Sequence, residues 1–171
     1  MSIFRRLFSN ADVRDEMRPL YQAVVAYARQ PHWYARGGVP DTLDGRFDMI
    51  AAILSAILLR LETHPQARQQ SVWLTEIFID DMDGQLRQIG IGDMIVGKHI
   101  GKMMSALGGR LSAYRTAFAG VDSLDEALVR NLYRGDPPAA AERDHVSCSL
   151  SAFWQDIGTC DVPALLDGKL P

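Results

Sequence analysis

Between residues 96 and 118 the apolar side chains Val96, Ile100, Met103, Leu107, Leu111, Tyr114 and Phe118 follow one another at intervals of 4, 3, 4, 4, 3 and 4. That spacing draws one continuous stripe along a helix. Gly108 and Gly109 interrupt the composition without ending the pattern. Seven side chains at roughly 1.5–3 kcal/mol each for full burial outweigh two mid-helix glycines at about 1 kcal/mol each. The helix opens at Asp93, whose charge suits a helix N-terminus. Upstream, Leu74, Phe78, Met82 and Leu86 step by four, which predicts a helix from Gln66 to Ile89 closed by Gly90.

The same reading extends in both directions. An apolar run from Met49 to Leu59, flanked by Arg46, Asp48, Arg60 and Glu62, predicts a buried helix ending near Glu62, with Asp41 or Thr42 as N-cap. A first helix covers Asp12 to Gln30, with Pro19 either kinking it or opening its main part. Residues 31–45 read as a loop, punctuated by Pro31, Gly37, Gly38, Pro40 and Gly45. Ser123-Leu-Asp-Glu126 is a capping box that opens a helix to Arg134. Asp136-Pro137-Pro138 breaks the chain before a last helix from Ala139 to Asp156. Nothing alternates with the period of two that strands require. The expectation is an all-α single compact bundle of about six helices, one domain over 1–171, with an N-terminal arm (1–11) and a C-terminal tail (157–171).

Composition narrows the class. The 171 residues are 47% hydrophobic and 23% charged, with a net charge of -3. The absence of basic excess argues against nucleic-acid binding. The longest apolar run is shorter than the ~20 residues of a bilayer span. Its first residues do not read as a signal peptide. Two cysteines, Cys148 and Cys160, fit free thiols in a reducing compartment, and the expected location is cytoplasmic.

Several stretches invite a chemical reading. Gly92, Gly97 and Lys98 stand in the register of a P-loop, but His99 replaces the hydroxyl residue and a helix replaces the preceding strand, so no nucleotide site is expected. Asp80, Asp81 and Asp83 could be set beside the magnesium-binding aspartates of helical prenyl-diphosphate enzymes, the rival enzymatic reading. As an EF-hand the stretch fails, because Gly90 falls where the loop needs its last carboxylate. Asp81 projects near Leu74, Ile77 and Phe78, so it needs a partner, an arginine or a helix N-terminus, and is assigned a structural role. Asp93 is likewise structural. His145-x-x-Cys148 with Cys160 lacks the second pair of a zinc site. The histidines His32, His64, His99 and His145 are dispersed, and no catalytic, metal or cofactor site is expected. Gly97, Gly101, Ser105 and Gly108 border the apolar stripe as a smooth face. A backbone approaching closely explains it, from a helix of this protein, the commoner use, or of another. Ile3, Phe4, Leu7 and Phe8 with Arg5 and Arg6 suit peripheral contact with an anionic membrane.

Two segments together, ARQPHWYARGGVPDTLDGRFDMI (28–50) and FIDDMDGQLRQIGIGDMIVGKHIGKM (78–103), resemble the ubiquinol–cytochrome c chaperone family, assembly factors of the respiratory cytochrome bc complex. The run Gly38 to Phe47, the Asp-Met-Asp of 81–83 and the Val-Gly-Lys of 96–98 fall in the family's order. The sequence departs from the family's pattern at Ile53 and at Leu107-Gly108. The resemblance implies a non-enzymatic helical protein that binds newly made cytochrome b, with a small co-chaperone or the ribosome as further partners. A partner surface is then expected on the rigid loop, at Arg36, Gly38, Pro40, Asp41 and Arg46, and on the fourth helix, at Gly97, Lys98, Gly101 and Lys102.

Overall fold

The structure, a computed structural model, describes the backbone of residues 13–88 and 93–171, and their side chains except 86–88, 93–100, 102 and 103. It is helical throughout the described residues. A 3-10 turn (Val13–Met17) leads into α1 (Arg18–Ala28), followed by α2 (Pro31–Ala35), α3 (Leu43–Glu62), a 3-10 turn (Pro65–Ala67), α4 (Arg68–Gln88), α5 (Asp93–Phe118), α6 (Leu124–Asn131), α7 (Ala140–Thr159) and α8 (Val162–Leu166).

α3 is the axis of the bundle. Its apolar run has no polar side, and all residues from Asp48 to Leu59 are buried. A helix apolar all round must be surrounded, and α1, α4, α5 and α7 pack against it. Thr42, rather than Asp41, caps α3 by accepting from the Gly45 amide at 3.1 Å. Arg60 at the far end donates to the carbonyls of Ile157 and Cys160, satisfying groups that the end of α7 leaves open. Pro19 sits at the second position of α1 and opens it, with the 3-10 turn ahead.

Two short helices add to the six that periodicity indicates. The 31–45 stretch is not all loop: Pro31 begins the five residues of α2, which bury Trp33 completely. The C-terminal stretch is also tied down. Leu165 of α8 is fully buried, and Gly168 (φ +82°) lies so close to the Pro19 carbonyl that a Cβ would come within 2.7 Å of its oxygen.

Candidate functional site

The loop after α2 is fixed from every side. Trp33 Nε1 donates to the Tyr27 carbonyl, Tyr34 Oη to that of Ala28, and the Val39 amide to that of Trp33. Tyr133, from beyond α6, donates its buried hydroxyl to the Gly37 carbonyl at 2.6 Å. Gly37 admits no side chain, since a Cβ would stand 2.4 Å from Val146 Cγ2 of α7 and 2.5 Å from the Trp33 oxygen. Gly38 takes φ +61° beside Pro138 and Glu142. Gly45 is pressed on the Pro40 carbonyl. Arg36, Pro40, Asp41 and Arg46 are exposed on this frame. Asp41 and Arg46 pair with each other at 2.6 Å, so Arg46 does not reach Asp81. The hydrogen bond from Arg46 holds the Asp41 carboxyl below its ordinary range. A shallow cleft beside the pair is lined by Arg29, Pro31, Tyr34 and Ala35.

Beneath the loop lies a feature that the sequence pattern did not disclose. Asp48 is fully buried and accepts from Arg110 of α5 and from Arg134 after α6, each at 2.5 Å. Arg134 also reaches Asp44 at 2.6 Å, and the Arg110 guanidinium lies over the Phe47 ring. Burial pushes the Asp48 carboxyl upward, against the pull of the two guanidiniums. Arg134 adopts a left-handed backbone (φ 54°), rare for a residue with a side chain. One carboxylate therefore ties the start of α3 to α5 and to the end of α6. Asp48 flanks the apolar run in sequence and is buried with it. The available signal was a carboxylate directly abutting that run with no basic residue one turn away on the same helix.

Among the described residues the small-residue face of α5 is open. Gly101, Ser105, Gly108 and Gly109 are exposed, and a Cβ on any of these glycines would meet no other element within 4 Å. Packing against a helix of the same chain, the commoner explanation, is thus corrected among the described residues. Leu107 and Tyr114 bury the opposite side of α5. Next to the open face runs an apolar groove of about 570 Å³ between α3, α4 and α5, with Leu58, Leu61 and Leu111 in it and the exposed Val72 and Met104 on it. The side chains of Lys98, Lys102 and Asp93, and the surroundings of Gly97, lie outside the described residues, although the backbone of α5 begins at Asp93.

The aspartate cluster of α4 is engaged by the protein itself. Asp80 is exposed and pairs with Arg14 at 3.2 Å. Asp81 is half-buried, and its partner is neither an arginine nor a helix N-terminus. It accepts from the Tyr21 hydroxyl at 2.6 Å and from Gln85 Nε2 at 3.0 Å. Burial, then the hydrogen bond to Asp81, pushes the Tyr21 hydroxyl upward. Cys148 and Cys160 are free thiols. Among the described residues no three of His, Cys, Asp and Glu converge so as to hold a metal, and no helix is long and apolar enough to cross a membrane.

The family described as ubiquinol–cytochrome C chaperone has a sequence model that matches residues 35–156, a stretch holding the rigid loop, the Asp48 node and all of α5. A search of curated proteins found no match. Among solved structures, the crystal structure of the Cbp3 homolog from Brucella abortus is similar, with a TM-score of 0.80 and 30% identity over 98% of this chain and 92% of that one.

Proposed function

From the premise that the chain belongs to the ubiquinol–cytochrome c chaperone family, we propose that it binds newly made cytochrome b and supports assembly of the cytochrome bc complex without catalysing a reaction. The match over residues 35–156 carries this reading, because it takes in both surfaces on which docking is expected. Two physical features support a binding role. The 36–46 loop presents Arg36 and the Asp41–Arg46 pair on a frame that has little freedom left to lose, so a partner meets a preordered surface. The exposed small-residue face of α5 lets another backbone come close, beside a groove able to take apolar side chains. Lys98 and Lys102, four apart on α5, add cationic groups for acidic residues of the partner. The site of action is the cytoplasmic side of the inner membrane, with a peripheral contact through the N-terminal arm, and a small co-chaperone or the ribosome as a further partner.

The direct test is an affinity pull-down from membranes, in which cytochrome b co-purifies with the tagged chain. A deletion strain that assembles the full bc complex at the normal rate would remove the proposal. Lys98→Glu with Lys102→Glu is expected to leave folding nearly normal and to lower bc complex assembly in cells. Unimpaired assembly would take that patch off the functional surface.

A further inference from the structure

His32 and His145, far apart in the sequence, meet across the seam between α2 and α7. His32 Nδ1 lies 3.0 Å from His145 Nε2, with the rings edge-on at 88°. The other nitrogen of His32, Nε2, lies 3.0 Å from Gln30 Oε1. An amide oxygen only accepts, so Nε2 carries the hydrogen and Nδ1 presents a lone pair. His145 Nε2 therefore donates, and a single proton lies between the two rings. With a single positive charge on the pair that proton is still shared, whereas with both rings charged His32 Nδ1–H and His145 Nε2–H would stand donor to donor. Arg36, one turn on, adds positive charge nearby. The Glu142 carboxylate, three residues before His145 on α7, is occupied by the Ala139 amide at 3.0 Å.

We propose that His32 and His145 form a one-proton latch that fastens α2, and the 36–46 loop behind it, to α7, and that acidification loosens it. Burial, His145 and Arg36 all hold His32 below the ordinary histidine value of about 6.5. The unfolded or unlatched chain consequently binds protons more readily than the latched one. The latch is fully closed above about pH 6.5 and weakens as the pH falls through that value toward the lower folded one. Trp33, the Tyr133–Gly37 hydrogen bond and the Gly37–Val146 contact remain, so the loop loosens rather than detaches.

The latch does not depend on which client is bound, and its test reads the loop directly. Hydrogen exchange of the purified full-length chain, corrected for intrinsic rates, is followed between pH 7.5 and 5.5. In the wild type, opening at the amides of 33–46 is expected to rise about fivefold, the equivalent of one hydrogen bond, while α4 changes little. His145→Gln keeps a donor for Nδ1 and can turn its oxygen to a protonated His32, so its loop should change less than about twofold. An equal rise in both proteins, or a rise spread over the whole bundle, overturns the latch. NMR titration of the wild-type imidazoles needs no variant, and a His32 that titrates at or above the ordinary value also overturns it.

Discussion

Asp48, in the interior of the bundle, accepts from the guanidiniums of Arg110 and Arg134. Arg110 is only 8% exposed, so Asp48→Ala leaves a buried charge without its partner. The expected loss is about 3–5 kcal/mol in urea unfolding. Asp44→Ala, which breaks only the exposed arm of the same network, should stay within about 0.5 kcal/mol. Similar small losses from both would show that Asp48 is not the node. Asp81 differs in kind because its hydroxyl partner is neutral. Asp81→Ala should cost about 1–3 kcal/mol, a hydrogen bond to a charged group, and not the larger penalty of an orphaned arginine. Magnesium with diphosphate is expected to leave the melting temperature unchanged; a saturable rise of several degrees, lost in Asp80→Asn, would establish the enzymatic rival. At this scale the sequence shows that Asp81 needs a partner, because a carboxylate on an apolar face does. It does not show which partner, since Tyr21 lies 60 positions away and periodicity carries no information across helices.

The long helices were legible because each has to bury a stripe or a whole surface, and a stripe leaves a period. That is why α5 can be read from spacing as far as its end at Phe118, while its start at Asp93 is read from the charge that suits a helix N-terminus. The five-residue α2 and α8 are too short to show a period, and they seat only Trp33 in the one and Val162 with Leu165 in the other against the rest of the core. The open glycines of α5 show the opposite limit. Their spacing reveals a smooth face, but only the surrounding helices tell whether anything covers it. Two substitutions separate the glycines that the fold needs from those it does not. Gly37→Ala should destabilise by about 1–3 kcal/mol, because its Cβ would overlap Val146 and the Trp33 carbonyl. Gly101→Leu meets open space and replaces a poor helix former, so stability should hold or rise by about 0.5–1 kcal/mol. Assembly of the bc complex should nevertheless fall, since the added side chain keeps a partner's backbone away. A folded Gly101→Leu protein with normal assembly would leave the 36–46 loop as the docking surface.

On the scale of the whole molecule, the two ends of the described chain close the bundle together. α8 packs on α1, Leu165 and Val162 are buried, and Gly168 rests against the backbone at Pro19. The family match ends at residue 156, before this closure, so the proposed docking surfaces lie outside the clasp. Deleting residues 161–171 removes two apolar side chains from the interior at roughly 1.5–3 kcal/mol each and opens the α1 face that they cover. For a chain of this size a loss of that order lowers the melting temperature on the order of 10 °C. Arg60 should soften the effect, because its bonds to the carbonyls of Ile157 and Cys160 fall on residues that the deletion keeps. The truncated protein is therefore expected to remain helical by circular dichroism, to melt earlier, and to pull down cytochrome b at temperatures well below its own midpoint. A truncated chain that melts like the full one would mean that α8 contributes little to the core. One that folds at low temperature but no longer captures cytochrome b would place part of the docking surface on the clasp itself.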